Sequence, residues 1–254
     1  KKLVLIDRDM VEESNLQRQV LFEENDIGKA KALAAQEHLQ RINADVNVEA
    51  HVVDLNFRNI EEIMKEVDII LDGSDNLETR YLINEYSLKY QKPWVYASAI
   101  QDKGFVAGFS GKCPCFQCIM NQSQAEGTCD TIGVLNSCTA LIGSLQANEC
   151  LKIILGKETG SLIHVQVMKN RFDVLTIKKN KKCTACKGGY DYLEGRRGES
   201  IIRFCRTGQF QITAKTPLDL EKLKSQLEKV GKVDDLSFCL VFQCMKIFKD
   251  RVLI

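Results

Sequence analysis

Two acidic loops carry the side chains of this chain that could hold a nucleotide. The first follows the apolar residues 2–6, which predict a β-strand, and contains Asp7 and Asp9. A carboxylate at the carboxyl end of such a strand can accept from both hydroxyls of a ribose. The next turn is richer in side-chain donors than an ordinary surface turn and includes Asn15, Arg18 and Gln19. We therefore predict a nucleotide-binding segment over residues 7–19.

The second acidic loop, residues 71–80, follows a predicted buried strand. Open α/β sheets bind ligands at the carboxyl ends of their strands, and Asp75 could hold Mg²⁺ there against a triphosphate. The competing interpretation is that Asp75 or Asn76 only caps the next helix. Arg80 could brace the loop or reach a phosphate. The nearby segment 7–19 favours the binding interpretation.

Lys29 and Lys31 open the next predicted helix, residues 27–42. Two positive charges in a first turn oppose the helix dipole, so the local structure does not call for them. A nearby phosphate would account for these two charges. Lys31 is the better candidate for contacting it, whereas Lys29 fits an exposed side chain.

Four cysteines are spaced as two C-x-x-C pairs: Cys115, Cys118, Cys183 and Cys186. Four thiolates with this spacing can close a tetrahedral zinc shell, and a complete shell leaves no position for substrate. We predict a structural Zn²⁺ that joins two distant segments, with Cys113 as a possible substitute ligand. The alternative is a set of free thiols in a reducing cell.

Cys129 belongs to a different kind of site, a loop that precedes a long predicted helix. A thiol at a helix amino end has a lowered pKa and more thiolate at neutral pH. The negative charge of the neighbouring Asp130 would raise this pKa instead. A reactive and an inert Cys129 therefore remain equal alternatives.

The overall composition excludes several classes of protein. The 35 basic and 34 acidic residues leave no field that would attract nucleic acid or an anionic membrane. No apolar run approaches the roughly 18 residues that a spanning helix requires. Eleven cysteines with two C-x-x-C pairs are typical of reduced thiols and a metal site. We expect a cytoplasmic protein that binds neither nucleic acid nor membrane.

Predicted strands and helices alternate over residues 1–189. This order indicates an α/β fold with a Rossmann-like mixed, mostly parallel sheet and helices on both faces. The adjacent strands 94–100 and 105–109 predict a hairpin, so part of the sheet is antiparallel. Residues 190–254 predict a small C-terminal α+β domain with two short strands, a charged helix over 218–230 and two further strands.

The start of the chain is unusual for a nucleotide-binding sheet. Such sheets open with a strand and a glycine-rich turn about 20 residues before the acidic strand, and no G-x-G-x-x-G occurs here. We therefore expect an internal fragment that lacks the first strand and this loop, is inactive by itself, and has an incomplete C-terminal domain.

Seven motifs occur in order: D-x-D-x-V-x-x-S-N-L-Q-R-Q, I-G-K-x-K-A, D-G-S-D-N-x-x-x-R, K-P-W-V-Y-A-S-A, C-P-C-F-Q-C, C-x-x-x-G-V-L and G-S-L-Q-A-x-E. Together they resemble the ThiF/MoeB/HesA family, the bacterial and archaeal relatives of the ubiquitin-activating enzymes. The resemblance covers about residues 1–187. It implies an adenylyltransferase that uses ATP to activate the C-terminal Gly-Gly of a small ubiquitin-like sulfur carrier, in thiamine or molybdopterin synthesis.

The resemblance also implies roles for individual residues. Asp7 would bind the ribose and Asp75 the Mg²⁺, and the four cysteines of the C-x-x-C pairs would bind zinc. The phosphate contacts would be made by Asn15, Arg18, Gln19 and Lys31. Cys129 matches the loop cysteine that forms a covalent link with the carrier in some members. A homodimer, and a cysteine desulfurase as sulfur donor, are further implied partners.

Three other functions remain open from the sequence. The first is an activating enzyme for a ubiquitin-like modifier that works through a Cys129 thioester. The second is a nicotinamide-dependent oxidoreductase, which also uses a Rossmann sheet but has no need of the phosphate and magnesium residues Arg18, Lys31 and Asp75. The third is a non-catalytic partner subunit, which would not need those residues either.

Overall fold

The computed structural model describes residues 1–120, 133–157, 159–197, 201–203, 210–214, 218–249 and 251–253. Its helices are α1 (Glu13–Leu16), α2 (Lys31–Ile42), α3 (Ile60–Ile63), α4 (Leu77–Tyr90), α5 (Phe116–Ile119), α6 (Asn136–Ile154) and α7 (Leu220–Leu227). The first seven strands are β1 (Lys2–Ile6), β2 (Asn47–His51), β3 (Ile70–Leu71), β4 (Trp94–Ile100), β5 (Lys103–Phe109), β6 (Ser161–Gln166) and β7 (Arg171–Thr176). In these parts of the chain, no helix is long and apolar enough to cross a membrane.

Strands β1 to β7 form two sheets with both kinds of pairing. β1 and β2 are parallel, with Lys2 opposite Asn47. The second sheet has the order β3-β4-β5-β6-β7, in which only the β3–β4 pair is parallel. The predicted α/β fold with mixed pairing is confirmed. Antiparallel pairs are more frequent than predicted, because short turns join β4 to β5 and β6 to β7, and only antiparallel strands permit such connections.

The C-terminal residues add a third, antiparallel sheet of six strands in the order β10-β11-β12-β13-β9-β8. These strands are β8 (Ile201–Arg203), β9 (Phe210–Thr213), β10 (Val233–Asp235), β11 (Leu240–Phe242), β12 (Met245–Ile247) and β13 (Arg251–Leu253). The sequence predicted two strands after α7, whereas residues 228–249 and 251–253, which the structure describes, form four. Strands of three residues contain too few alternating positions for the sequence pattern to reveal them.

The chain divides into two compact units. The first unit comprises Lys1–Leu16, Leu21–Asp54 and Glu199–Ile254, and the second comprises Gln17–Val20 and Leu55–Gly198. The residues that directly follow 189 pack within the second unit, where the backbone N–H groups of Tyr192 and Leu193 donate to Glu85 on α4 at 2.8 and 2.9 Å. The division into domains at residue 189 stays a prediction.

Both faces of strand β4 are covered within the second unit. Val95 and Ala97 belong to an apolar cluster that includes Cys138 and Ile142 of α6. Trp94 and Tyr96 point to the other face, where their rings lie 5.7 and 4.9 Å from the ring of Phe116. This packing fixes β4, and therefore the neighbouring carboxyl end of β3, between two covered faces.

Helix α2 begins later than the sequence predicted, at Lys31 instead of residue 27. Gly28 adopts a positive φ of 87°, and its N–H donates to Val11 O at 2.9 Å. Val11 N–H in turn donates to Lys29 O at 2.9 Å. Lys29 therefore lies in the turn that precedes the helix, not in a first helical turn, and only Lys31 opens the helix.

A buried carboxylate, Asp26, holds this connection and supports a prediction on stability. It accepts hydrogen bonds from the Glu23 N–H at 3.1 Å, from Lys29 Nζ at 3.0 Å and from His38 Nε2 at 2.7 Å. Burial opposes its charge, but these donors prevail and lower the pKa of Asp26 to about 2. We expect Asp26→Asn to reduce the free energy of unfolding by about 2 kcal/mol at neutral pH.

The effect should depend on pH, because the pKa of Asp26 is depressed from 3.8 to about 2 in the folded state. The stabilisation is complete above about pH 4 and disappears as the pH falls towards about 2, where the folded-state carboxylate takes up a proton. Urea titrations at several pH values measure this difference, with the exposed Glu24→Gln as control. Equal stabilities of wild type and Asp26→Asn at pH 7 would contradict the prediction.

Candidate functional site

Three of the predicted nucleotide residues lie together in the first unit. Asp7 Oδ1 accepts the backbone N–H of Asp9 at 2.8 Å. The Lys31 ammonium contacts Asp9 Oδ2 at 3.2 Å, and the Lys31 N–H donates to Asp9 O at 2.9 Å. The first acidic loop and the start of α2 therefore form one polar cluster.

The two carboxylates of this cluster differ electrostatically. Burial raises the pKa of Asp7, although the charge of Lys31 acts against it. Burial also opposes ionisation of Asp9, but Lys31 and Arg8 overcome it and hold the pKa of Asp9 below its usual range. The protein therefore stabilises the buried negative charge of Asp7 less well than that of Asp9. Further hydrogen-bond donors, such as ribose hydroxyls, would stabilise the Asp7 carboxylate.

Contacts from distant segments hold the Asp7–Asp9 loop in place. Arg8 Nη1 binds Asp54 Oδ1 at 2.9 Å. Arg251 of β13 is fully buried and donates through Nη2 to Arg8 O at 2.5 Å. Arg251 was not predicted from the sequence, because it lies 243 residues from Arg8 and no local pattern distinguishes it from an ordinary strand residue.

The other residues predicted to contact phosphate behave differently from one another. Asn15 is buried and its Oδ1 accepts the Glu12 N–H at 3.1 Å, so part of its amide stabilises its own turn. Arg18 and Gln19 belong to the second unit and are half-buried. Gln19 Oε1 is buried and accepts no hydrogen bond from the described residues, which leaves it available for a ligand donor.

A buried ion pair braces the second acidic loop. Arg80 Nε binds Asp72 Oδ2 at 3.2 Å, and Arg80 Nη2 donates to Ser74 O at 2.5 Å. Asp72 is buried and also accepts from the N–H and hydroxyl of Ser74 at 2.9 and 2.6 Å. Burial raises the pKa of Asp72, and the Arg80 charge works against this increase. Of the two roles left open for Arg80, the structure therefore supports bracing of the loop.

Helix α6 adds a further anchor to this loop. Gln146 Nε2 donates to Asp72 O at 2.8 Å and to Val95 O at 3.0 Å. It thereby joins the carboxyl end of β3 to the adjacent strand β4. Gln146 was not predicted as a site residue; the available signal was an amide that directly follows the small and apolar residues 140–145.

The braced loop presents Asp75 to solvent. Asp75 is exposed, and its carboxylate makes no hydrogen bond or ion pair with any residue that the structure describes. Asn76 is the helix cap, since its Oδ1 accepts the Thr79 N–H at 2.8 Å. A carboxylate on a rigid loop that protein donors do not occupy can bind a hydrated divalent cation.

The four predicted metal ligands come together in the second unit. Their sulfur atoms all lie within 4.8 Å of one another. Cys115 Sγ is 3.9 Å from Cys118 Sγ, 3.6 Å from Cys183 Sγ and 3.5 Å from Cys186 Sγ. Tetrahedral zinc with Zn–S bonds of about 2.3 Å requires sulfur atoms about 3.8 Å apart, so this donor set fits Zn²⁺.

Helix α4 supports the cysteine loops through two buried polar residues. Asn84 Oδ1 accepts the Phe116 N–H at 2.9 Å, and Asn84 Nδ2 lies 3.7 Å from Cys115 Sγ. Glu85 accepts from Gln117 Nε2 at 3.2 Å as well as from the segment around Tyr192. Sequence reasoning missed both residues, although two consecutive polar residues within a buried helix were a visible signal.

Cys113 is a fifth cysteine beside this cluster. The structure pairs it with Cys186 in a disulfide, with a Cα–Cα distance of 5.9 Å. Cys186 therefore belongs both to the disulfide with Cys113 and to the four-cysteine cluster. The predicted nucleophile Cys129 lies outside the described residues.

The fold and these loops define a Rossmann-like α/β protein with acidic loops at the carboxyl ends of parallel strands. The ThiF family profile matches residues 1–185. The chain belongs to the ThiF family.

Named relatives agree with this membership. A Thermus thermophilus sulfur carrier protein adenylyltransferase is 37% identical over 194 residues, which cover 72% of this chain and 72% of the relative. A Bacillus subtilis sulfur carrier protein ThiS adenylyltransferase is 32% identical over 238 residues, or 89% of this chain and 70% of the relative.

Solved structures show the same fold. E. coli MccB crystallised with ATP superposes with a TM-score of 0.63 at 21% identity, over 73% of this chain and 59% of MccB. The chain thus spans about 60% of the length of the MccB structures it matches.

Proposed function

We propose that this protein is an adenylyltransferase that uses ATP to activate the C-terminal glycine carboxylate of a small ubiquitin-like sulfur carrier. The observation that carries the proposal is Asp75, an exposed carboxylate on a loop that Arg80, Asp72 and Gln146 brace. The loop follows the carboxyl end of a parallel strand, as ligand loops do in such sheets. The names of the relatives provide the substrate class.

Each predicted residue has a chemical role in this proposal. Asp7 binds the ribose, and Asn15, Gln19 and Lys31 contact the phosphates. Lys31 is paired with Asp9 in the structure, so it brings a fixed charge that is already oriented. Asp75 holds Mg²⁺, which neutralises phosphate charge when bound. Asn76 lies beside it as the helix cap.

The reaction requires positioning and charge, not a protein nucleophile. A carboxylate oxygen of the carrier attacks the α-phosphorus of ATP, a new P–O bond forms, and the bond to the leaving pyrophosphate breaks. The products are an acyl adenylate and pyrophosphate. Arg18 provides fixed positive charge where the phosphate charge shifts, and such preorganised charge lowers the barrier.

Pyrophosphate exchange tests this function. The full-length gene product, mixed with ATP, Mg²⁺ and a carrier ending in Gly-Gly, is expected to incorporate labelled pyrophosphate into ATP. Absence of exchange with every sulfur carrier of the source organism would contradict the proposal and favour the non-catalytic partner subunit. A melting temperature raised by NAD but not by ATP–Mg²⁺ would favour the oxidoreductase.

We further propose that Cys129 acts after adenylation, as a thiol that links to the activated carrier. Cys129→Ala is then expected to leave pyrophosphate exchange almost unchanged and to abolish the thiol-sensitive adduct with the carrier. Mass spectrometry of the enzyme with ATP and carrier measures the adduct. If the carrier is activated without any adduct and the variant still supports sulfur transfer, Cys129 has no covalent role, and a separate donor such as a cysteine desulfurase delivers the sulfur.

The four-cysteine cluster is proposed as a structural zinc site. The support is its sulfur geometry and the Asn84 amide beside Cys115 Sγ, because metal ligands are commonly held by such hydrogen bonds. Cys115, Cys118, Cys183 and Cys186 would hold the metal, and a Zn²⁺ bound there would join the loop around Cys115 to the loop around Cys183. It has no place in the adenylation step.

We also propose that the protein forms a homodimer. Helix α6 and strand β7 expose a group of apolar side chains that would suit a subunit interface. Phe172 lies opposite Val165 in the register, so it extends the sheet face that packs on α6. The exposed apolar residues of these two elements include Leu151, Ile154, Phe172 and Val174.

A further inference from the structure

Cys113 and Cys186 are placed so that they can form or release a disulfide. Their Cα atoms are 5.9 Å apart, within the range of about 4.4 to 6.8 Å that disulfides require. Cys113 Sγ also lies 3.8 Å from the carbonyl oxygen of Cys186. Both residues are half-buried, as is Cys118, whereas Cys115 and Cys183 are buried, so a small oxidant can reach this pair.

The disulfide with Cys113 and the four-cysteine metal site both require the sulfur atom of Cys186. Cys186 Sγ is 3.5 Å from Cys115 Sγ and 3.6 Å from Cys118 Sγ, as a ligand of the shared metal would be. A sulfur in a disulfide is no longer a thiolate, and zinc binds thiolates. The two arrangements therefore exclude each other.

We propose that Cys113 and Cys186 are an oxidation site whose disulfide displaces the zinc. The inference rests on the proposed zinc site and is independent of the adenylation reaction. Cys113 is then not a ligand but the thiol that peroxide oxidises first and that then captures Cys186.

The reaction balances with hydrogen peroxide as oxidant. The Cys113 thiolate attacks one peroxide oxygen, the O–O bond breaks, and the leaving hydroxide takes a proton to become water. The Cys186 thiolate then attacks the sulfenic sulfur of Cys113, the S–O bond breaks, and a second hydroxide leaves and takes a proton to become water. Two thiols become one disulfide, and peroxide is reduced to two waters. Reduction by a dithiol restores both thiols and the complete metal site.

Replacement of the bound metal by the Cys113–Cys186 disulfide should preserve the fold around the four cysteines. The disulfide and the metal join the same two segments, since Cys113 precedes Cys115 by two residues and Cys186 belongs to both arrangements. Glu85 and Asn84 hold the two loops through hydrogen bonds that do not involve the metal.

Peroxide treatment of the zinc-loaded, reduced full-length protein tests the inference. A chromophoric chelator records zinc release, and peptide mass spectrometry after alkylation without reduction identifies the disulfide. We expect loss of about one zinc per chain together with a Cys113–Cys186 linkage, and recovery of zinc binding after a dithiol and zinc are added. A linkage that excludes Cys113, or zinc release without any disulfide, would overturn the inference.

Two variants separate the inference from the zinc site itself. Cys113→Ser is expected to bind zinc like the wild type but to release it about tenfold more slowly under peroxide, because the capturing thiol is absent. Cys244→Ser, which removes an exposed cysteine outside the cluster, serves as control and should release zinc like the wild type.

The results for Cys113→Ser test the oxidation site, and the zinc content of the untreated wild type tests the metal site. Release from Cys113→Ser at the wild-type rate contradicts the oxidation site. Loss of zinc from unoxidised Cys113→Ser makes Cys113 a ligand and also contradicts it. Wild type without zinc before oxidation refutes the metal site, and with it the displacement.

Discussion

Pyrophosphate exchange by the full-length gene product is expected to fall about 100- to 1,000-fold when Asp75 is replaced by alanine, since removal of one preorganised charge contact has effects of that size. Asp75 is exposed and its carboxylate makes no hydrogen bond or ion pair within the described ranges, so its removal should not lower the melting temperature. A loss of exchange with unchanged stability identifies a site residue, because a structural residue would change both.

Two further variants make this test specific. Asp68→Ala removes an exposed carboxylate before β3, near the other end of the strand, and should retain wild-type exchange. Arg18→Ala should lose exchange to an extent similar to Asp75→Ala, as expected if both act on phosphate charge. Additional Mg²⁺ should partly restore Asp75→Ala only if weakened cation binding is the defect. Wild-type exchange in Asp75→Ala would refute its role.

Zinc content is expected to fall from about one atom per chain to none when Cys183 is replaced by serine, because three thiolates leave a tetrahedral shell incomplete. Structural zinc in small sites contributes binding free energies of about 10 kcal/mol or more to folding. We therefore also expect a large decrease in melting temperature, for the cysteine loops lose the bond that joins them.

Cys244→Ser is the matched control for zinc content, as it changes an exposed cysteine far along the chain from the cluster. It should keep both the metal and the melting temperature. Elemental analysis of the purified proteins and thermal unfolding with and without a chelator provide the measurements. Undiminished zinc in Cys183→Ser would contradict the assignment of this cysteine as a ligand.

Local signals in the sequence were sufficient for the elements with strong boundaries. The predicted bounds of β4 (Trp94–Ile100) agree with the structure, and α4 (Leu77–Tyr90) begins directly after Asn76, one of the two residues predicted as possible caps. For α4 the reason is the Asn76 cap, and for β4 it is a run of apolar and aromatic residues that follows Pro93. The spacing of the two C-x-x-C pairs likewise predicted which four sulfur atoms come together, because each tight loop brings its own pair close and a metal requires both pairs.

The sequence by itself therefore determined the class of fold and which four cysteine sulfurs come together, whereas the roles of Asp7 and Asp75 stay predictions. Only the tertiary structure decided which distant groups meet. It paired Arg80 with Asp72 rather than with solvent, brought Gln146 to the same loop, and placed Cys113 against Cys186, 73 residues away. Such pairings depend on how strands and helices pack, and packing distances cannot be read from spacing along the chain.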